Sequence, residues 1–190
     1  MGDKPGETIE RNNTGLMTTF LQLCLMILLL TIIIEDFTQR KIHWFLPPLL
    51  FVLLVDLSFI SHRLETALKE SAINSALVLF QMALAALFFS FKEKKTVNLF
   101  KTHFGIGDLL FLLAISAAFS FVNFAFFNTL SLSITVSIFI FYTRYKENPN
   151  YPIPLAGLQA LMFGVVYVID ILVPSFDLHN DSLILSLLTY

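Results

Sequence analysis

Residues 105–142 read GIGDLLFLLAISAAFSFVNFAFFNTLSLSITVSIFIFY. From Leu109 to Tyr142 no charged residue interrupts the run, which is apolar apart from small hydroxyl residues, Asn123 and Asn128. A membrane helix needs about 20 apolar residues. The run is therefore predicted to hold two short crossings, with a soft break at Asn123 to Asn128. Just before it stands Gly105-Ile106-Gly107-Asp108, two glycines within three residues in a chain that has only 7. Glycine leaves the backbone free to adopt conformations that a Cβ forbids. A carboxylate at the edge of a membrane helix is costly unless it is solvated, paired or put to work. Two readings of Asp108 stay open at this point: a cap on the helix that follows, or a group with chemistry to perform.

The rest of the chain agrees with a membrane setting. Of 190 residues, 56% are hydrophobic, 14% are charged and 21 are phenylalanine, with a mean hydropathy of +0.77. Soluble domains carry about 25% charged residues, so this is a polytopic membrane protein whose phenylalanines face lipid or pack between helices. The net charge is −2 and no basic block forms a nucleic-acid footprint. One cysteine, Cys24, excludes an internal disulfide and a cysteine zinc cluster. The histidines His43, His62, His103 and His179 are scattered, so no metal and no cofactor is expected.

Outward from the quoted stretch, the remaining spans follow from apolar length and flanking charge. Residues 1–15 form a polar N-terminal arm. Leu16 to Ile34 is a first span, expected to be retained because no small-residue cleavage site follows it. After the charged loop from Glu35 to His43 comes a span from Trp44 to Ile60. Trp44 is its interfacial anchor, and Pro47-Pro48 sits near its start, where a missing N–H costs nothing. Ser61 to Glu70 is a polar connection, and Ser71 to Phe91 a third span. A basic loop follows from Lys92 to His103. Beyond the long run, a polar loop from Arg144 to Tyr151 leads through Pro152-Ile153-Pro154 into a last span that ends near Pro174. The expected fold is an all-α bundle of about six transmembrane helices in a single domain over residues 16–174, with a tail at 175–190.

Counting crossings gives Asp108 a partner. Asp36 follows the first span and Asp108 the third, so two crossings separate them and both face the same side. The loops on that side carry Arg40, Lys41, Lys92, Lys94, Lys95, Lys101, Arg144 and Lys146, against Lys4, Arg11, Arg63 and Lys69 opposite. That excess places the two acids on the cytoplasmic side of the cell membrane. Two carboxylates brought close share a proton. An ionised member can then activate water while a protonated member serves as the acid.

These residues resemble a known family. Gly105-Ile106-Gly107-Asp108 matches the G-x-G-D motif of the GxGD membrane aspartyl peptidases. Asp36, followed by Arg40, Lys41 and Ile42, is similar to the first aspartate of the type IV prepilin and preflagellin peptidases. Tyr151-Pro152-Ile153-Pro154-Leu155 is similar to the segment that opens the family's last helix. The resemblance runs from about Leu16 to Pro174. It implies cleavage of a short basic leader from a prepilin-like membrane substrate of a type IV pilus or secretion system. Asp36 and Asp108 would be the catalytic pair, Gly105 and Gly107 its flexible loop, and Glu35, Arg40 and Lys41 candidate substrate contacts. Ile42-His43-Trp44 stands where the family often has Ile-Pro-Asn, and Leu110 where it usually has lysine. The cysteine-bearing cytosolic domain of many bacterial members is absent, which points to a short form that does not methylate its product.

Other polar residues have plainer readings. Asp56 and Asp170 fall near the outer ends of their spans and are expected to reach the outer interface. Gln81, Asn123, Asn128 and Gln159 are expected to make hydrogen bonds between helices. Lys92 to Lys95 would hold its loop to an anionic inner leaflet. The alternative to a peptidase is a small transporter or a non-catalytic membrane scaffold.

Overall fold

A computed structural model describes residues 5–61, 63–93, 105–145 and 154–188. Hydrocarbon offers the backbone no hydrogen-bond partners, so apolar runs of this length close their N–H and C=O groups within helices. The described elements are α1 (Pro5–Gln39), α2 (Leu46–Ile60), α3 (Leu64–Glu93), α4 (Ile106–Ile115), α5 (Phe121–Tyr145), α6 (Leu155–Leu172) and α7 (Ser182–Leu188). A single 3-10 turn, Ser116–Ala118, extends α4. The fold is all-α among the described residues. Thr14–Gln39, Leu64–Phe88, Phe121–Ile138 and Leu155–Leu172 are each long and apolar enough to cross a membrane. The chain is a multi-pass membrane protein. α2 is apolar but has 15 residues, about 22 Å of helix against about 30 Å of hydrocarbon.

Several boundaries differ from those expected. The polar stretch before Leu16 is already helical from Pro5, so α1 continues outward from its span. Most of the connection from Ser61 to Glu70 is the first two turns of α3. The largest difference lies in the quoted run, where the break falls at Phe119 and Ser120. Phe119 is extended (φ −132°, ψ 146°), and Asn123 and Asn128 lie inside α5. The physical reason is a distant partner. The Asn123 amide donates to the carbonyls of Leu178 (2.8 Å), Asn180 (3.2 Å) and Asp177 (3.3 Å). The Ser120 N–H donates to Leu178 at 3.0 Å. The segment after α6 therefore folds back and closes this end of the bundle, with Leu178 buried. The basic residues Lys94, Lys95, Lys101 and Lys146, and Asn148 to Ile153, lie outside the described residues, as do His62 and His103.

α1 and α6 form the most extensive packing in the bundle. On α1, Leu25, Leu29, Ile32 and Asp36 recur at helical spacing and are all buried. On α6 the facing surface includes Gly157, against Asp36 and Phe37, and Gly164, against Leu29, with buried Ala160 between them. Lipid provides no hydrophobic drive between helices, so close backbone approach over small residues and interhelical hydrogen bonds hold such pairs. α2 packs against α1 and α4, which brings the start of α4 to the end of α1. Large apolar side chains such as Phe20, Ile27, Phe80 and Phe88 remain exposed on the outer faces, as a lipid-facing surface requires.

Candidate active site

Asp36 continues the buried stripe of α1 to the helix's last turn and is only 5% exposed. Three residues on, at Gln39, α1 stops. Arg40 takes a left-handed backbone (φ 54°), and its N–H closes on the Asp36 carbonyl at 3.1 Å, a common way of ending a helix. The loop that follows is clasped by Glu35. One Glu35 oxygen accepts the His43 N–H at 3.1 Å, and the other lies 2.7 Å from His43 Nδ1. Glu35, expected to meet substrate, is thereby engaged in holding its own loop. Lys41 is exposed, and the charge of Arg40 acts on Asp36.

The glycine motif sits against this loop. Gly105 precedes α4 in an extended conformation (φ −75°, ψ 140°), and the described glycines include none with positive φ. Gly105 and Gly107 thus supply space where the sequence suggested backbone freedom. A Cβ on Gly107 would come within 3.3 Å of Ile42 Cβ, and one on Gly105 within 2.9 Å of Asp108 Oδ2. Ile42, fixed by the clasp, seats the first turn of α4.

Both carboxylates converge on the start of α6. The first N–H groups of a helix have no partner within it, and the helix dipole favours negative charge there. Pro154 is the N-cap of α6. The Ala156 N–H donates to Asp108 Oδ1 at 3.1 Å, and the next amide, Gly157 N–H, donates to Asp36 Oδ2 at 2.6 Å. The other Asp108 oxygen accepts the Gly105 N–H at 3.1 Å, so Asp108 also caps its own helix. The two carboxylates act on each other electrostatically. Gly157 is what allows the approach, since a Cβ there would stand 3.0 Å from Asp36 Oδ2 and from a ring carbon of Phe37. Ala156 and Gly157 were not singled out in the sequence. Their signals were the proline that starts the helix and the small residues spaced four apart behind it.

Asp56 and Asp170 lie toward the opposite end of the bundle. Asp170 accepts the Leu178 N–H at 2.8 Å, whereas Asp56 is exposed on α2. A cavity of about 370 Å³ at that end is lined by Gln22, Ser58, Arg63, Tyr167, Asp170 and His179, among others. Arg63 Nη1 lies 3.0 and 3.1 Å from the two oxygens of Asp177. Burial raises the Asp177 carboxyl, but the His179 N–H and the Arg63 guanidinium outweigh it and hold the group below its ordinary range. Burial holds the His179 imidazole below its ordinary range, against the opposing pull of Asp177. Among the described residues, no three His, Cys, Asp or Glu side chains converge as a metal ion would require.

Of the four amides expected to bridge helices, Asn128 and Gln81 do so with each other, Asn128 donating to Gln81 at 2.7 Å, and Asn123 binds the returning tail. Gln159 has no partner for either amide atom among the described residues. No family model matches the chain, and no curated protein or solved structure matches it.

Proposed function

We propose that Asp36 and Asp108 are the catalytic pair of a membrane aspartyl endopeptidase that removes the leader of a prepilin-like substrate at the cytoplasmic membrane face. The observation that carries this reading is the meeting of a buried carboxylate, Asp36, and a half-buried one, Asp108, on consecutive amides, Gly157 and Ala156, at one helix start. Two acids so placed share a proton. The ionised member takes a proton from water as that water attacks the scissile carbonyl carbon. The protonated member gives its proton to the carbonyl oxygen, and on collapse of the intermediate a proton returns to the departing amine. The N–H groups of α6 hold each carboxylate by one oxygen, and the second Asp108 oxygen also accepts the Gly105 N–H.

The resemblance of the G-x-G-D motif and its flanks to the prepilin and preflagellin peptidases supplies the substrate class. A basic leader suits a site built on two acids, and an apolar helix behind the leader suits the lipid-facing bundle. The competing reading, a non-catalytic scaffold, is favoured by one specific feature: both aspartates also satisfy helix N–H groups that otherwise lack partners. Asparagine separates the two, because it caps a helix about as well as aspartate but cannot share a proton. In reconstituted membranes, a prepilin-like substrate should be cut after the leader glycine, as read by sequencing the new N-terminus. Asp36→Asn and Asp108→Asn should keep their helicity and leave the substrate whole. Undiminished cutting by both variants would overturn the catalytic pair.

A further inference from the structure

The bundle interior holds a row of polar side chains that the acid pair does not touch. Gln159 on α6 is fully buried, and neither its oxygen nor its nitrogen has a partner among the described residues. Thr135 on α5 is 1% exposed with an unpartnered hydroxyl. Asn128, fully buried, gives its amide to Gln81 but leaves its own oxygen without a partner. Ser131, also fully buried, donates to the Asn128 carbonyl at 3.2 Å. Asn128, Ser131 and Thr135 follow one another at intervals of three and four, which stacks them along one face of α5.

The register of α5 on α6 puts Gln159 at the same depth as that row. The two helices run in opposite directions, because the start of α5 is bonded to the tail that follows the end of α6. Phe127 and Phe163 meet across the interface with ring centroids 6.3 Å apart. Counting about 1.5 Å of rise per residue from that contact, Gln159 lies level with Ser131. Thr135 lies level with Leu155, beside the amides that hold Asp36 and Asp108. The row therefore extends from the middle of the bundle to the depth of the acid pair.

Buried polar atoms in folded proteins find partners, and buried water serves those that the chain leaves unsatisfied, where two to four polar groups converge. A leucine at position 159 would fill the same interface at no such cost. We propose that Asn128, Ser131, Thr135 and Gln159 form a water-binding seam between α5 and α6 that reaches the acid pair. Its use rests on the hydrolysis proposed above, which consumes a water molecule within the bundle. Its hydration stands independently of that reaction.

Cysteine accessibility tests the seam without reference to cleavage. Ser131→Cys, Thr135→Cys and Val136→Cys are each made in a Cys24→Ala background, reconstituted in lipid and treated with a small water-soluble methanethiosulfonate. Val136 is half-exposed on the lipid side of the same turn as Thr135. Thiolate is the reacting species, and an apolar setting that raises a thiol's pKa by about one unit removes about nine-tenths of it. The two seam variants should therefore react about tenfold faster than Val136→Cys or more. Adding Gln159→Leu should slow Thr135→Cys. Seam variants that react no faster than Val136→Cys would overturn the proposal, and that comparison is sufficient if the leucine variant does not fold. Fast labelling without cleavage would sink the peptidase and keep the seam. Cleavage with slow labelling would do the reverse.

Discussion

The two ends of α6 handle negative charge in opposite ways. At its start, Asp36 and Asp108 each give one oxygen to a backbone N–H of the helix on consecutive residues, and the charge of Asp36 acts on Asp108. At its far end the acids are distributed among separate partners. Asp177 takes Arg63, Asp170 takes the Leu178 N–H, and Asp181 takes the Ser120 hydroxyl and the Asn123 N–H. Every one of those bonds ties the returning tail to α5, to α6 or to a residue just before α3 or α5. Carboxylates spent on cations and loop amides hold structure, whereas the two that meet on consecutive amides are proposed to share a proton. The comparison explains why acids of equal prominence in the sequence receive different assignments.

The contrast can be broken most severely at the acid pair. Asp36→Asn or Asp108→Asn should cost cleavage about 100- to 10,000-fold, the range that positioned acid–base groups contribute, with helicity unchanged by circular dichroism. Gly157→Ala comes next, because its methyl must push Asp36 or Phe37 aside. A displacement of about 1 Å can cost about 100-fold in rate, so a loss approaching that in kcat, with little change in KM, is expected of this smaller shift. At the far end, Asn123→Ala strips donors from three tail carbonyls. It should lower stability by about 1–3 kcal/mol, the cost of buried groups left unpaired, and leave cleavage by the folded fraction intact.

The smallest effect is a pH dependence confined to the far end. Because the folded His179 is held below its ordinary range, the unfolded chain binds a proton first as pH falls. Stability should then be full above about pH 6.5, the unperturbed histidine value, and decline below it. Asp177, also held low, extends the loss further into acid once its carboxylate begins to protonate. Thermal melts across pH should show the upper part of this decline flattened in His179→Asn. A decline that is identical in the variant would remove His179 from the account.

How much of this was legible beforehand depended on whether the cause was local. The helices were legible because apolar length and flanking charge are properties of each segment, and Pro47-Pro48 marked the first turn of α2 as expected. The break in the long run was misplaced because amides inside an apolar stretch look like interruptions. Asn123 instead reaches carbonyls more than 50 residues away in the tail. The shared side of Asp36 and Asp108 followed from counting crossings, and the structure places both at one end of the bundle. The amides that receive them could not be read, since nothing in Ala156-Gly157 announces what packs upon it. The two glycines have ordinary dihedrals here, and what they provide in this structure is room beside Ile42 and Asp108.

The division of labour between the two ends of α6 is tested most directly by four variants measured together, Asp36→Asn, Asp108→Asn, Asp170→Asn and Asp177→Asn. Each is assayed for cleavage of a prepilin-like substrate and for melting temperature in the same membranes. The account predicts that the first two abolish cleavage and melt near wild type, while the last two melt lower and still cut. Cleavage retained in Asp36→Asn and Asp108→Asn, with melting lowered in all four alike, would contradict it and make every one of these acids a structural cap.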